Sequence, residues 1–133
     1  MTARPSHDAA PDFGAVTLFS SDLSRSKAFY CDFLGTQPVF EDDVSAAYRS
    51  GSVIVNLLAL EAVDELISPS EMATAGVRSV FTLHVEDVDM GATALADCGI
   101  LPTSGPMNRP WGIRTTNYLD PDGYVWELSQ KLG

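Results

Sequence analysis

The chain alternates short apolar runs with amphipathic segments, and the order of these segments occurs twice. The first copy begins at Ala15 with the strand-like run AVTLFS, followed by an Asp and a helical stretch that ends before a Gly. The stretch VFTLHVEDVDMGATALADCG, which begins at Val80, repeats this order. Asp at a helix start and Gly just after a helix end are common capping residues. The pattern therefore predicts two strand-and-helix units within one chain.

Each predicted helix is followed by three further strand candidates. They span 37–41, 44–49 and 53–60 in the first half, and 100–103, 112–119 and 124–130 in the second. The last two are joined by DPDG, whose Pro and Gly suit a type I turn. Both halves thus follow the order strand, helix, strand, strand, strand. We predict an α+β fold of two βαβββ modules, with the helices on one face of the sheet and a concave, partly polar cavity on the other.

The same pattern divides the chain. We expect a flexible leader over 1–12, a first module over 13–60, a linker over 61–76 and a second module over 77–131. A half of about 60 residues buries too little surface to be stable on its own. The two modules should therefore associate into one compact domain.

The late stretch NYLDPDGYVWELSQ contains a carboxylate at an unusual place. Because side chains alternate along a strand, Tyr124, Trp126 and Leu128 share one face and Glu127 lies on the other. The apolar face should pack against the helices, so we assign Trp126 to the core. A carboxylate in mid-strand is costly to bury unpaired, and Glu127 must therefore meet water, a cation, a hydrogen-bond donor or a ligand.

Further residues are candidates for the face that carries Glu127. We expect the following side chains to line the cavity, with ordinary packing as the alternative for each: Phe19, Phe40, Tyr48, Asn56, Thr82 and His84. The stretch MNRPWGIR adds Trp111 and Arg114 at the mouth of the cavity. The alternatives left open are that Trp111 packs under its loop and that Arg114 pairs with a carboxylate.

The composition and net charge limit the kinds of partner that the chain can bind. The chain has 133 residues, of which 45% are hydrophobic and 20% are charged, as in ordinary soluble globular proteins. Eighteen acidic and eight basic residues give a net charge of −10. This charge repels nucleic acids and anionic membranes and attracts cations. No apolar run approaches the roughly 20 residues needed to cross a bilayer, and no secretory signal is visible. We expect a cytoplasmic protein without nucleic-acid or membrane partners.

The early segment DLSRSKAFYCDFLG and the late segment LDPDGYVWEL together resemble the vicinal oxygen chelate superfamily. That superfamily includes glyoxalases, extradiol dioxygenases, fosfomycin resistance enzymes and bleomycin resistance proteins, and the resemblance runs from about Phe13 to Gln130. It implies that the modules form a curled mixed sheet with the helices on its outer face and a cleft on its inner face. It also implies a homodimer.

The resemblance maps the metal-ligand positions of the family onto four residues of this chain: Ala15, Asn56, Val80 and Glu127. Ala and Val have no donor atom, whereas a protein-bound divalent metal usually needs at least three good ligands. The chain is therefore closest in character to the metal-free, bleomycin-resistance-like members. We predict no metal ligands and no cofactor.

Three functional interpretations follow. The leading one is a small-molecule binding protein that sequesters an antibiotic or a similar aromatic or cationic metabolite, with no catalytic residue. The alternative is a glyoxalase-like lyase, isomerase or dioxygenase with an atypical metal site, for which Glu127 and His84 are the available acid–base groups. A third is an interaction module, which predicts no small-molecule pocket.

Overall fold

The computed structural model describes residues 11–133, and the first ten residues of the predicted leader lie outside the described part. Eight strands and three helices are present in that part. The strands are β1 Ala15–Ser20, β2 Phe40–Glu41, β3 Ser45–Ser50, β4 Val53–Ala59, β5 Val80–His84, β6 Ser104–Arg109, β7 Ile113–Leu119 and β8 Val125–Lys131. The helices are α1 Leu23–Leu34, α2 Val63–Ile67 and α3 Val88–Asp97, and a 3-10 turn, Leu60–Ala62, precedes α2.

The strands form two four-stranded mixed sheets with the same topology. Their orders are β1-β4-β3-β2 and β5-β8-β7-β6, and the first pair in each sheet is parallel while the others are antiparallel. Each sheet carries one longer helix, α1 or α3, between its first and second strands in sequence. The predicted α+β fold with two βαβββ modules is confirmed.

Both longer helices begin and end at the expected residues. The Asp22 carboxylate accepts a hydrogen bond from the backbone N–H of Arg25 at 3.1 Å, and the Asp87 carboxylate accepts one from that of Met90 at 3.0 Å. These bonds satisfy N–H groups that have no partner within the helix. Helix α1 ends just before Gly35, whose left-handed φ of 67° suits glycine.

One hydrophobic core joins the helix-facing sides of both sheets. It includes residues of α1, α3 and both sheets: Leu18, Tyr30, Phe33, Ala46, Tyr48, Val55, Leu57, Val88, Leu95, Tyr118, Trp126 and Leu128. Trp126 is buried and lies 5.9 Å from the Tyr30 ring and 5.5 Å from the Phe33 ring, measured between centroids. Aromatic side chains of α1, in the first module, therefore contact Trp126 of the second sheet, and the prediction that Trp126 is a core residue is confirmed.

Strand β6 differs from the prediction. Sequence reasoning placed this strand at 100–103, but the observed strand is Ser104–Arg109. The observed strand contains Pro106, and proline cannot donate a hydrogen bond to the sheet. Strand β6 lies at the edge of its sheet, where proline is tolerated, and its pairing with β7 is irregular between Ser104 and Met107.

Within residues 11–133, no helix has the length and apolar character needed to span a membrane.

Candidate functional site

Each sheet has a helix side and an opposite side, which we call the open side. On the open side of the second sheet, Glu127 lies between Asn117 of β7 and Thr82 of β5, in register with both. The Thr82 hydroxyl donates a hydrogen bond to Glu127 Oε1 at 3.0 Å, and the Glu127 side chain is half-buried. Glu127 therefore meets one hydrogen-bond donor and retains further acceptor capacity.

Asn117 adds a second acceptor beside this carboxylate. Its side-chain oxygen, Oδ1, is buried and has no hydrogen-bond partner among the described residues. A buried unpaired acceptor costs about 1 to 3 kcal/mol. Asn117 and Glu127 thus form neighbouring acceptors on two adjacent strands. Sequence reasoning missed Asn117, although its place in strand 112–119 put it on the alternating pattern.

A groove of about 660 Å³ opens at one end of the same side. Its walls come from the extended segment 72–79, from the ends of β1 and β7 and from the start of β8. Val125 lies in the groove, two residues before Glu127 on the same face of β8. Phe19, one of the residues predicted to line a cavity, also lines this groove. Glu127 itself is not part of the groove wall.

Hydrogen bonds between the modules hold this end of the groove in place. The Tyr124 hydroxyl accepts a hydrogen bond from the backbone N–H of Phe19 at 3.0 Å. Asp122, in the DPDG turn, accepts hydrogen bonds from the backbone N–H of Ser21 at 3.0 Å and from the Ser21 hydroxyl at 2.6 Å. Burial raises the pKa of Tyr124, so this hydroxyl remains protonated at neutral pH. The end of β1 is thus fixed to the turn that precedes β8.

Two predicted lining residues lie on the helix side. Tyr48 is fully buried beneath α1, where its hydroxyl donates a hydrogen bond to the Lys27 carbonyl at 3.1 Å. Arg114 forms an ion pair with Asp89 of α3 at 2.8 Å. The prediction that Tyr48 and Arg114 face the cavity is wrong, because strand alternation turns both side chains toward the helices. For Arg114, the alternative of pairing with a carboxylate is confirmed.

The other predicted residues are spread over the open sides. Asn56 lies opposite Thr17 on the first sheet, and Phe40 lies at the outer edge of that sheet, 56% exposed. His84 is exposed on β5, in register with Ser129, one open-side position beyond Glu127. In this chain Asn56 and Phe40 belong to a different sheet from Glu127. His84 and Thr82 are the predicted residues that share its sheet and side.

Trp111 occupies the tip of the β6–β7 hairpin and is 67% exposed, so it does not pack under its loop. The guanidinium carbon of Arg109 lies 5.9 Å from the centroid of its ring. Arg109 is on the open side, since its Nε donates to Thr115 Oγ1 at 3.0 Å and Thr115 pairs with Ser129. Sequence reasoning selected the wrong arginine of MNRPWGIR.

A sequence model of the glyoxalase/bleomycin resistance protein/dioxygenase superfamily matches residues 12–128. The chain belongs to this superfamily, and the resemblance seen in the sequence is confirmed at that level. No curated protein matches the chain significantly.

Solved structures share the fold at low sequence identity. A glyoxalase/bleomycin resistance protein/dioxygenase from Nocardioides is 24% identical with a TM-score of 0.80, covering 95% of this chain and 87% of that chain. A glyoxalase-related enzyme from Fulvimarina pelagi is 21% identical with a TM-score of 0.80, covering 92% and 89%. A lactoylglutathione lyase from Agrobacterium tumefaciens is 20% identical with a TM-score of 0.74, covering 92% and 95%. These similarities show a common fold.

The metal used by many enzymes of this superfamily does not fit the residues present. The matching positions hold Ala15, Asn56, Val80 and Glu127, and two of these side chains are hydrocarbon without a lone pair. Among residues 11–133, His, Cys, Asp and Glu side chains form no group of three that could hold a metal ion. One carboxylate and one amide are fewer good donors than a catalytic divalent metal requires.

Proposed function

We propose that this protein binds a small organic molecule without transforming it, and that the molecule carries an aromatic or cationic group. Sequestration of an antibiotic or a similar metabolite is the function that this mode of binding serves best. Membership of a superfamily that includes bleomycin resistance proteins is compatible with this role, but it is equally compatible with enzymes. The proposal therefore depends on the chemistry of the open side.

The observation that carries the proposal is the pair of acceptors formed by Glu127 and Asn117. The Asn117 oxygen lacks a donor, and the Glu127 carboxylate receives a single side-chain hydrogen bond, from Thr82. An ammonium group has three N–H donors and a positive charge, so it complements both acceptors. A net charge of −10 also attracts cations over long distances and speeds their encounter.

The groove next to this acceptor pair suits an organic body attached to the amine. A volume of about 660 Å³ is within the usual range for small-molecule sites. Its lining includes the Phe19 and Tyr124 rings, which offer apolar contact and stacking surface. An amine-bearing ligand would place its cation at Glu127 and an aromatic substituent in the groove.

A second copy of the chain would complete the site. Apolar side chains remain exposed around the groove and the adjoining sheet, including Leu60, Val77, Val80 and Leu119. Exposed apolar clusters of this kind mark interaction surfaces. We propose a homodimer in which these residues are covered and the ligand is shielded from water.

A thermal-shift screen of the full chain tests the proposed function. The panel contains metal-free bleomycin, other aromatic cationic antibiotics, benzylamine, and the chlorides of zinc, nickel and manganese. A ligand that binds only the folded state raises Tm. We expect at least one organic cation to raise Tm and to be recovered unchanged by mass spectrometry. Chemical conversion of the ligand, or stabilisation by metals alone, would contradict the proposal.

A further inference from the structure

Arg109 is held in a fixed position on the open side of the second sheet. Its Nε donates a hydrogen bond to Thr115 Oγ1 at 3.0 Å, and its guanidinium carbon lies 5.9 Å from the centroid of the Trp111 ring. Thr115 is fully buried and Arg109 is half-buried. Contacts with a hydroxyl and an aromatic ring together restrict the orientation of the guanidinium plane.

This guanidinium has no carboxylate partner in the described part of the chain. The ion pairs between side chains there join Lys27 to Glu41 and Arg114 to Asp89. Neither terminal nitrogen of Arg109 forms a hydrogen bond with residues 11–133, whereas both Nε and a terminal nitrogen of Arg114 bind Asp89. Two free terminal nitrogens in one plane match the two oxygens of a carboxylate. The free terminal nitrogens of Arg109 can therefore bind an anion.

Arg109 and Glu127 face the same open side. Thr115, which anchors Arg109, pairs with Ser129, and Ser129 is the next residue after Glu127 on that side of β8. With about 3.3 Å per residue along a strand and about 4.8 Å between strands, the backbone positions of Thr115 and Glu127 are about 8 Å apart. A positive and a negative protein group therefore lie within reach of one small molecule.

We propose that Arg109 is a specificity-determining residue that binds a carboxylate of the ligand, while Glu127 and Asn117 bind its amine. The ligand class is thus dipolar: an organic molecule with an ammonium group and a carboxylate separated by several bonds. Trp111 supports the guanidinium and offers its exposed ring to an aromatic part of the ligand. This inference rests on the proposed function, because Glu127 supplies the second anchor.

A purely structural role for Arg109 predicts a different result. Arg109 could instead only stabilise the β6–β7 hairpin through Thr115 and Trp111. Its replacement would then change the affinity for ligands with and without a carboxylate equally. The two roles are separated by comparing para-(aminomethyl)benzoate with benzylamine, which has the same ring and amine but lacks the carboxylate. Arg114→Gln is the matched control, since Arg114 lies in the same hairpin on the opposite side.

The test measures the affinity of both probes for the full chain by NMR titration. We expect Arg109→Gln to weaken the binding of para-(aminomethyl)benzoate at least tenfold and to leave the affinity for benzylamine unchanged. Arg109→Lys keeps the charge but loses the planar pair of donors, so it should weaken the carboxylate probe by a smaller factor. Arg114→Gln should change neither affinity.

Two results would overturn the inference. One is an unchanged affinity of Arg109→Gln for para-(aminomethyl)benzoate, and the other is equal weakening of both probes in Arg109→Gln and Arg109→Lys. Failure of the proposed function is recognised separately, because benzylamine would then not bind the wild-type chain or would bind Glu127→Gln equally well.

Discussion

The Tyr30 hydroxyl of α1 donates a hydrogen bond to Asp120 Oδ2 at 2.7 Å, and the two residues belong to different modules. The same hydroxyl accepts a hydrogen bond from Trp126 Nε1 at 3.0 Å. Asp120 Oδ1 accepts hydrogen bonds from the backbone N–H groups of Asp122 and Tyr124. One buried hydroxyl thus links the first helix to the turn and strand that lead to Glu127.

Removing this hydroxyl should destabilise the protein. In Tyr30→Phe, Asp120 loses a donor and Trp126 Nε1 loses its acceptor within the core, so we expect a loss of about 1 to 3 kcal/mol in the free energy of unfolding. Urea denaturation measures it. Tyr118→Phe is the control, because the Tyr118 hydroxyl is buried with no hydrogen-bond partner in the described chain and its removal should cost little or stabilise. Equal losses in both variants would argue against this reading of the network.

Asp120 should also make stability depend on pH. Burial raises the pKa of this carboxyl above its usual value, although hydrogen bonds from Tyr30 and two backbone groups oppose the shift. The folded state therefore binds the proton more tightly than the unfolded state, and this contribution is fully present below the ordinary pKa of about 4. It is lost as pH rises through the folded-state pKa.

The comparison of Asp120→Asn with the wild type isolates this contribution. Over a pH range that begins below the ordinary carboxyl pKa of about 4, the wild type should lose unfolding free energy relative to the variant as pH rises, because the variant has no carboxyl at this position. Urea denaturation across this range measures the difference. A difference that stays constant with pH would show that the Asp120 pKa is not raised.

Gly105 lies near the start of β6, the first strand of the hairpin that carries Arg109. Its φ is 84°, and an added Cβ would lie 2.5 Å from the Thr115 carbonyl oxygen. We expect Gly105→Ala to destabilise by about 2 to 4 kcal/mol, combining backbone strain with a clash against the neighbouring strand.

Gly99→Ala separates these two costs. Gly99 has a nearly identical φ of 82°, but an added Cβ meets no atom within 4 Å. The strain alone should cost about 1 to 2 kcal/mol. Thermal unfolding of both variants checks the difference, and equal destabilisation would show that the close approach to Thr115 is unimportant.

The proposed homodimer predicts a specific response to charge. Val80 is 53% exposed and stands at the start of β5, beside the groove. Sedimentation equilibrium at micromolar concentration should show a dimer for the wild type and a shift toward monomer for Val80→Glu, since an unpaired carboxylate is costly to bury. A wild type that sediments only as monomer would contradict the dimer.

Sequence reasoning predicted the fold better than the site. Asp22, Asp87 and Gly35 act locally, so the helix boundaries follow from short-range chemistry. Glu127 was placed on its face by strict alternation within one strand. The prediction for Tyr48 was wrong because alternation defines two faces of a strand but does not say which face contacts the helices. The hydrogen bond from its hydroxyl to Lys27 is a tertiary contact that the sequence pattern does not contain.

The β6–β7 hairpin shows the same limit. The strand was predicted at 100–103 but lies at Ser104–Arg109, so the sequence did not assign Arg109 to a side of the sheet. The missing donor at Asn117 depends on distances between strands, which no pattern of residue types contains.

We propose that Glu127 and Asn117 bind an organic cation on the open side of the second sheet. The most direct test is an NMR titration of the isotope-labelled full chain with benzylamine, following the backbone signals of Thr82, Asn117 and Glu127. We predict saturable shifts at these residues and at least a tenfold loss of affinity in Glu127→Gln, because a hydrogen bond to a charged group contributes about 1.5 to 3 kcal/mol. Asp97→Asn, which removes an exposed negative charge at the end of α3, should bind as the wild type does. Absence of saturable shifts at these residues, or unchanged binding by Glu127→Gln, would contradict a cation site at Glu127.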